Sequence, residues 1–294
     1  MQPKMKNQFK FSAMALALVA VSFTSCEKDE ADAIQDDQAN VEVVIENNRV
    51  EVTDQAIIDQ VRGMAIDIAA ITKGDFHLPD GTVEQRIYIG DDIVTTEKEL
   101  QQMQVNDKRQ FRTFNLVTGA NRTIDIIGYT GNDQFGLTNK GRTALQWAVN
   151  NFNRISGSAL RFRLTFGTNF SNSDMVVYDN SANNSGSGGV AGFPDAQGRP
   201  NKFVQIYNLE GSSTNVNEHV ITHEIGHSIG FRHSDYYDRQ SCGSGGGESA
   251  GSTGAVQLPG TPTRDFDSIM QACFSNNEDG EFSSADITAL RAMY

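Results

Sequence analysis

His223, Glu224, His227 and His233 stand apart in the sequence because their types and spacing suit one kind of chemistry. His223 and His227 are four residues apart, so on a helix they project from one face, within reach of a single ion. Each offers an imidazole nitrogen, a donor that zinc takes at about 2.0–2.1 Å. Glu224 follows the first histidine directly and points beside the ion, where a carboxylate serves as general base to a water. Gly230 permits a left-handed backbone that ends the helix and swings His233 round as third ligand. Three ligands leave a fourth position open, which marks a catalytic zinc site rather than a structural one. H-E-x-x-H alone is a modest signal, but Gly230 and His233 at fixed offsets make coincidence negligible. His219 lies on the same helical face, yet Val220 follows it where a glutamate would be needed, so it reads as a flanking residue. His77 reads as a solvated loop residue outside the enzyme segment.

Such a site needs a sheet behind its helix, and the sequence provides one. Residues 123–129 carry the β-branched and apolar content of a strand. Leu145, Ala148, Val149, Phe152 and Ile155 fall at helical spacing, with Thr138 as N-cap and Gly157 as the stop. Leu160, Phe162, Leu164 and Phe166 alternate with polar residues, the pattern of a half-buried strand. Residues 175–178 and 203–207 give two further strands, and the Gly-, Asn- and Ser-rich stretch 180–200 between them reads mostly as loop. The order predicts an α+β fold: a mixed twisted sheet with two long helices, the second carrying the histidines. In a last helix, Ser283 and Asp286 form a capping-box pair, and Ile287, Leu290 and Tyr294 line one face. Residues 41–118 alternate short apolar and charged stretches: 41–45, a helical pattern through Ile57, Ile58, Val61 and Ile66, and a helix over 97–104. That segment is too small and polar to be an enzyme alone.

A chain of 294 residues has room for one domain and a second segment. Its net charge of −13 argues against nucleic acid, which needs clustered basic side chains. Residues 1–25 read as a signal peptide: Lys4, Lys6 and Lys10, then an apolar stretch from Phe11 to Phe23 too short to span a bilayer. Thr24, Ser25 and Cys26 resemble the lipobox of bacterial lipoproteins, with Phe23 where leucine is commoner. Lys28, Asp29 and Glu30 resemble the acidic sorting signal of surface lipoproteins. This resemblance implies lipidation at Cys26, an acidic tether over 26–40, and an outer-membrane protein exposed at the surface; simple secretion is the alternative. The membrane would be reached through the lipid alone. With Cys26 set aside, export favours a disulfide between Cys242 and Cys273, the alternative being two unpaired thiols. That bond would restrain the unfolded chain by about 3–4 kcal/mol in the chain-entropy model.

H-E-x-x-H-x-x-G-x-x-H resembles the metzincin clan of zinc peptidases, and its lettering is similar to the dual-action HEIGH metallopeptidases. Ser234 after the third histidine is a matrixin-like feature, as are residues 191–194 and the last helix. Residues 267–270 match the clan's methionine turn, which implies that Met270 forms an apolar floor beneath the histidines. Astacin-like enzymes carry a tyrosine two residues after that methionine, whereas this chain has Ala272. The resemblance covers about residues 119–294 and implies a monomeric zinc endopeptidase with His223, His227 and His233 as ligands, Glu224 as base, and a protein or peptide substrate. Bound calcium is compatible with the clan, but no calcium loop motif is present. Residues 88–91 resemble the element by which astacin propeptides place an aspartate on zinc, which makes Asp91 a candidate latency ligand and 41–118 a candidate propeptide. The plainer reading there is a Gly-Asp turn between Ile89 and Ile93. A catalytically silent surface-binding lipoprotein on the same fold is the alternative function, though it gives no reason for Glu224 beside the first ligand.

Overall fold

The order of elements divides the chain at about residue 120, with an antiparallel half before it and a mixed α/β half after it. The structure, a computed structural model, describes residues 44–45, 49–64, 70–103, 112–113, 115–236, 238–243, 260–262 and 264–294. The leader, Cys26, the tether, Ile66, Gln104 and residues 244–254 of the Gly/Ser-rich loop lie outside these. Contacts gather Glu42–Tyr294 into one unit.

The first half is a meander. Strands β1 (Val44–Ile45), β2 (Arg49–Glu51), β3 (Ile71–His77), β4 (Val83–Ile89) and β5 (Ile93–Thr95) lie in sequence order in one antiparallel sheet. Short turns join β3 to β4 and β4 to β5, as antiparallel neighbours allow. Helices α1 (Gln55–Gly63) and α2 (Glu97–Gln102) close over one face, α2 starting at a capping box of Thr96 and Glu99. Ile57, Val61, Ile71, Ile87, Ile89, Ile93 and Leu100 form its core, joined by Phe193 from the second half. Val190 packs with Phe76, Tyr88 and Val94. The two halves therefore share apolar surface. His77 ends β3 instead of standing in a loop, and its carbonyl accepts bonds from Tyr178 Oη and Gln205 Nε2.

The second half is the expected α+β arrangement. Strands β6 (Thr123–Tyr129), β7 (Arg161–Gly167), β8 (Met175–Asp179), β9 (Gly188–Val190) and β10 (Phe203–Tyr207) form a sheet ordered β7-β6-β8-β10-β9. All pairs are parallel except β10 with β9. Helix α3 (Asn139–Asn153) begins at Thr138, whose hydroxyl accepts from Gly141 N, and provides the crossover that parallel β6 and β7 require. Phe162 is buried as alternation predicts, but Phe166 is 42% exposed because β7 is the sheet edge. Helix α4 (Thr214–Ser228) packs against α3 and β10, and α5 (Ser284–Met293) closes the chain. One core runs through β6, α3, β8, α4 and α5. Strand β9 lies inside the stretch expected to be mostly loop; two of its three residues are glycine, so it lacks the apolar alternation that reveals a strand. Among the described residues, no helix is long and apolar enough to cross a membrane.

Candidate metal centre

Helix α4 is buried on nearly every side. From Val216 to Ser228 all residues are buried, so the helix has no amphipathic stripe and its polar residues must find partners inside. His223 Nδ1 bonds the Ile269 carbonyl at 2.8 Å, and His227 Nδ1 bonds that of Phe231 at 2.9 Å. A carbonyl only accepts, so both Nδ1 atoms carry the proton and both Nε2 atoms are left to bind an ion.

The helix ends at Ser228, and Gly230 adopts φ +109°, a conformation that disfavours any side chain. A Cβ there would also lie 2.9 Å from Leu116 Cδ2 and 3.1 Å from the Asn115 carbonyl. Thr113 N donates to the Gly230 carbonyl, and Phe231 bridges Arg112. The reversal returns His233 to the site: the ring centroids of His223 and His233 are 5.3 Å apart, and those of His227 and His233 are 4.9 Å apart. Ser234 N then donates to the Met270 carbonyl.

Met270 lies under the helix, against Gly226. A Cβ at Gly226 would stand 2.5 Å from Met270 Sδ, so the glycine between Glu224 and His227 admits the methionine turn. That turn is fixed from below by Asp286, which accepts from Ser268 Oγ, Ile269 N and Ser283 N. Asp235 fixes the segment after His233 by accepting from Ser241 N, Ser241 Oγ and Ala272 N. Cys242 and Cys273 are joined as a disulfide, with Cα atoms 5.1 Å apart.

The fourth member of the cluster comes from the first half of the chain, and it corrects an expectation. Asp92, not Asp91, meets the histidines: its Oδ2 lies 2.7 Å from His233 Nε2, 3.3 Å from His223 Nε2 and 3.7 Å from His227 Nε2. Gly90, at φ +66°, turns the chain out of β4, and adjacent side chains then point apart. Asp92 turns inward, its side chain 12% exposed, while Asp91 is 77% exposed and accepts from Arg239 Nη2 at 2.8 Å. The backbone holds this register: Ala191 N donates to the Asp92 carbonyl, and Val94 N to the Ala191 carbonyl. Two adjacent aspartates stood in the sequence, and nothing in their types said which faces inward.

Burial works to raise the Asp92 carboxyl, but the His233 charge and the imidazole hydrogen bonds outweigh it and hold the group well below its usual range. Burial and then the Asp92 charge push Glu224 well above its usual range. His227 is lowered to about 4, by burial first and His223 second, which keeps it neutral as a metal ligand must be. Glu224 lies against β9, where a Cβ on Gly189 would come within 2.5 Å of its Cγ. His219 is also lowered to about 4, chiefly by burial; its Nδ1 is 3.7 Å from Glu278 and it does not join the cluster. A cavity of about 300 Å³ opens beside Glu224, lined also by Gly188, His219, Val220, Ala272 and Phe274. Tyr207, unnoticed in the sequence, donates to the Gly189 carbonyl at the cavity's edge.

The donor set suits a metal ion. His223, His227, His233 and Asp92 present ligand atoms within 4.8 Å of one another, and all four residues are buried. The His227 Nε2 is buried with no hydrogen-bond partner, a cost that an ion at this point removes. A family profile described as the dual-action HEIGH metallo-peptidases matches residues 87–294. The chain belongs to that family. As a HEIGH metallo-peptidase it binds a metal and acts on proteins or peptides, and the matched span includes Asp92 as well as the histidines. Two solved structures of myroilysin are similar to it at 13% identity. One covers 60% of this chain and 82% of its own with a TM-score of 0.39. The other covers 69% and 98% with a TM-score of 0.37. No curated protein matches the chain.

Proposed function

We propose that this metallopeptidase is a metzincin-type zinc endopeptidase that uses Glu224 as general base and is held latent by Asp92. The observation that carries this reading is the Asp92 carboxylate set among three Nε2 atoms, with Glu224 Oε2 buried beside them and without a partner. His223, His227 and His233 would hold the zinc, whose chemistry is to polarise a carbonyl and acidify a water. Glu224 takes the proton of the attacking water and then delivers it to the leaving amine. The imidazoles of His223 and His227, each oriented through its Nδ1 by a backbone carbonyl, keep the attack aligned.

Latency has support from the backbone as well as the carboxylate. Asp92 to Val94 run beside Ala191, which follows edge strand β9. An extended substrate would add to the sheet at the same edge and must displace the turn, which Asp92→Ala loosens by removing its bonds to the histidines. Residues 41–118 act in this reading as a propeptide that folds with the enzyme. The lipobox-like N-terminus supports placing the chain on a bacterial envelope through lipid at Cys26.

The test uses full-length chain carrying Asp92→Ala, which frees the site. Adding Glu224→Gln should leave one zinc per chain and lower protein hydrolysis by about 10²–10⁴-fold or more. Retained hydrolysis in that double variant would sink the role of Glu224.

A further inference from the structure

The cavity beside Glu224 is lined by the metal centre and also by residues that the chemistry above leaves idle. His219 lies one turn of α4 before His223, about 5.4 Å along the helix axis, and lines this cavity. Its side chain is 5% exposed, and its Nε2 is buried with no hydrogen-bond partner among the described residues. Nδ1 stands 3.7 Å from Glu278 Oε2, too far for a hydrogen bond but near enough for the carboxylate to favour the ring proton on that side. Nε2 is then an acceptor, and an acceptor left unmet in the interior costs free energy. The other polar side chains on the wall away from the metal are committed: Ser187 Oγ donates to the Asn208 carbonyl, and Gln271 Nε2 to that of Asp265. Val220, Ala272 and Phe274 give the same cavity apolar walls, and the Phe274 ring lies 6.2 Å from that of His219. This wall is fixed, because Ala272 N donates to Asp235 and the next residue carries the disulfide to Cys242.

We propose that His219 is a specificity residue, whose imidazole accepts a hydrogen bond from a tyrosine hydroxyl of the substrate beside the scissile bond. The proposal rests on the peptidase reading above. A cavity of about 300 Å³ at Glu224 receives a side chain next to the bond being cut, and its size admits a ring. Val220, Ala272 and Phe274 suit the apolar body of that ring, and Phe274 adds an aromatic contact. At the tip, the hydroxyl donates to Nε2 and relieves the unmet acceptor. The terminal torsion of a histidine is soft, so a modest turn of the ring brings Nε2 to a group seated in the cavity. Phenylalanine fills the same walls but leaves the acceptor buried and unpaired, the basis on which a polar site rejects an apolar analogue. Aliphatic side chains lose the hydroxyl and the ring contact together.

The experiment uses full-length, zinc-loaded chain carrying Asp92→Ala, which frees the metal centre. A peptide library cut by this variant and read by mass spectrometry should show Tyr enriched over Phe at one position adjoining the cleaved bond. Matched Tyr and Phe peptides should differ by about ten-fold or more in kcat/KM. Adding His219→Phe, a ring without an acceptor, should erase that difference or turn it toward Phe. Adding His219→Gln instead, whose amide oxygen accepts, should keep a Tyr preference. The Tyr-to-Phe ratio is a reading that a merely structural histidine would not move. Zinc measured alongside should stay at one ion per chain in both variants; loss of the ion would make His219 a support of the metal centre and overturn the proposal. Equal cleavage of the Tyr and Phe peptides, enrichment of another residue in place of Tyr, or a Tyr preference that survives His219→Phe overturns it and leaves the peptidase reading standing. No cleavage of any peptide by the zinc-loaded Asp92→Ala chain overturns both.

Discussion

Helix α4 and the β4–β5 turn each place buried polar groups at the same point, but they are built in different ways. Helix α4 is enclosed from Val216 to Ser228, and its histidines are oriented by carbonyls of Ile269 and Phe231. The turn is three residues, Gly90 to Asp92, between strands that pack in their own antiparallel sheet. Asp92 is buried there against the histidines of the second half, and its neighbour Asp91 is largely exposed. The helix belongs to the core of the second half, whereas the turn is flanked by Ile89 and Ile93, which pack with Phe193 in the core of the first half. In the proposed reading, the helix holds the metal and the turn holds the chain latent.

The comparison makes graded predictions. The largest effect belongs to His227, fully buried with its Nε2 without a hydrogen-bond partner. His227→Ala should reduce bound zinc, measured by elemental analysis, to a small fraction of one ion per chain. Full zinc occupancy in that variant would mean that α4 is not the scaffold of the metal.

Next comes Gly226, where an alanine would ordinarily stabilise a helix by about 0.5–1 kcal/mol. Here its Cβ would stand 2.5 Å from Met270 Sδ, so Gly226→Ala should instead destabilise by about 1–3 kcal/mol. A rise in the thermal midpoint would show that the methionine turn does not press on the helix.

In the turn, Asp91→Ala removes an ion pair with one well-exposed partner and should cost about 1 kcal/mol or less. It should also leave the chain latent, since Asp92 stays in place. A gain of hydrolysis from Asp91→Ala alone would make Asp91, not Asp92, the residue that holds the chain latent.

The last effect concerns pH. Burial pushes the Glu218 carboxyl from its ordinary 4.5 up to about 7, against the opposing Asn151 hydrogen bond. The folded chain therefore holds this proton to higher pH than the unfolded chain does. The resulting stability is full below about pH 4.5 and is lost as pH rises through 7. Thermal midpoints of Glu218→Gln should fall less between pH 5 and 8 than those of the unaltered chain; parallel curves would refute the assignment.

The same contrast explains what could be read from the sequence. The α4 motif is local: an i, i+4 pair, an adjacent carboxylate and a glycine fix most of its geometry within one turn and its exit. Strands β6, β8 and β10, helix α3 and the α5 capping box were legible for the same reason, since each carries its signal in its own residues. What could not be read depended on distant partners. Strand β9 owes its existence to pairing with β10, because its glycines have no strand pattern of their own. Gly226, and the role of Asp286 beyond its capping box, gain meaning only once the turn carrying Met270 is seen to lie between them. The choice between Asp91 and Asp92 depends on one glycine's dihedral and on the register with Ala191, neither of which the sequence states.

One comparison of rates tests the central claim most directly. Zinc-loaded full-length chain and its Asp92→Ala variant are assayed on a general protein substrate, with and without a chelator. The account predicts hydrolysis by Asp92→Ala at a rate at least about a hundred times that of the unaltered chain, abolished by the chelator and restored by zinc. Equal rates, or an inert Asp92→Ala that still carries one zinc, would contradict it.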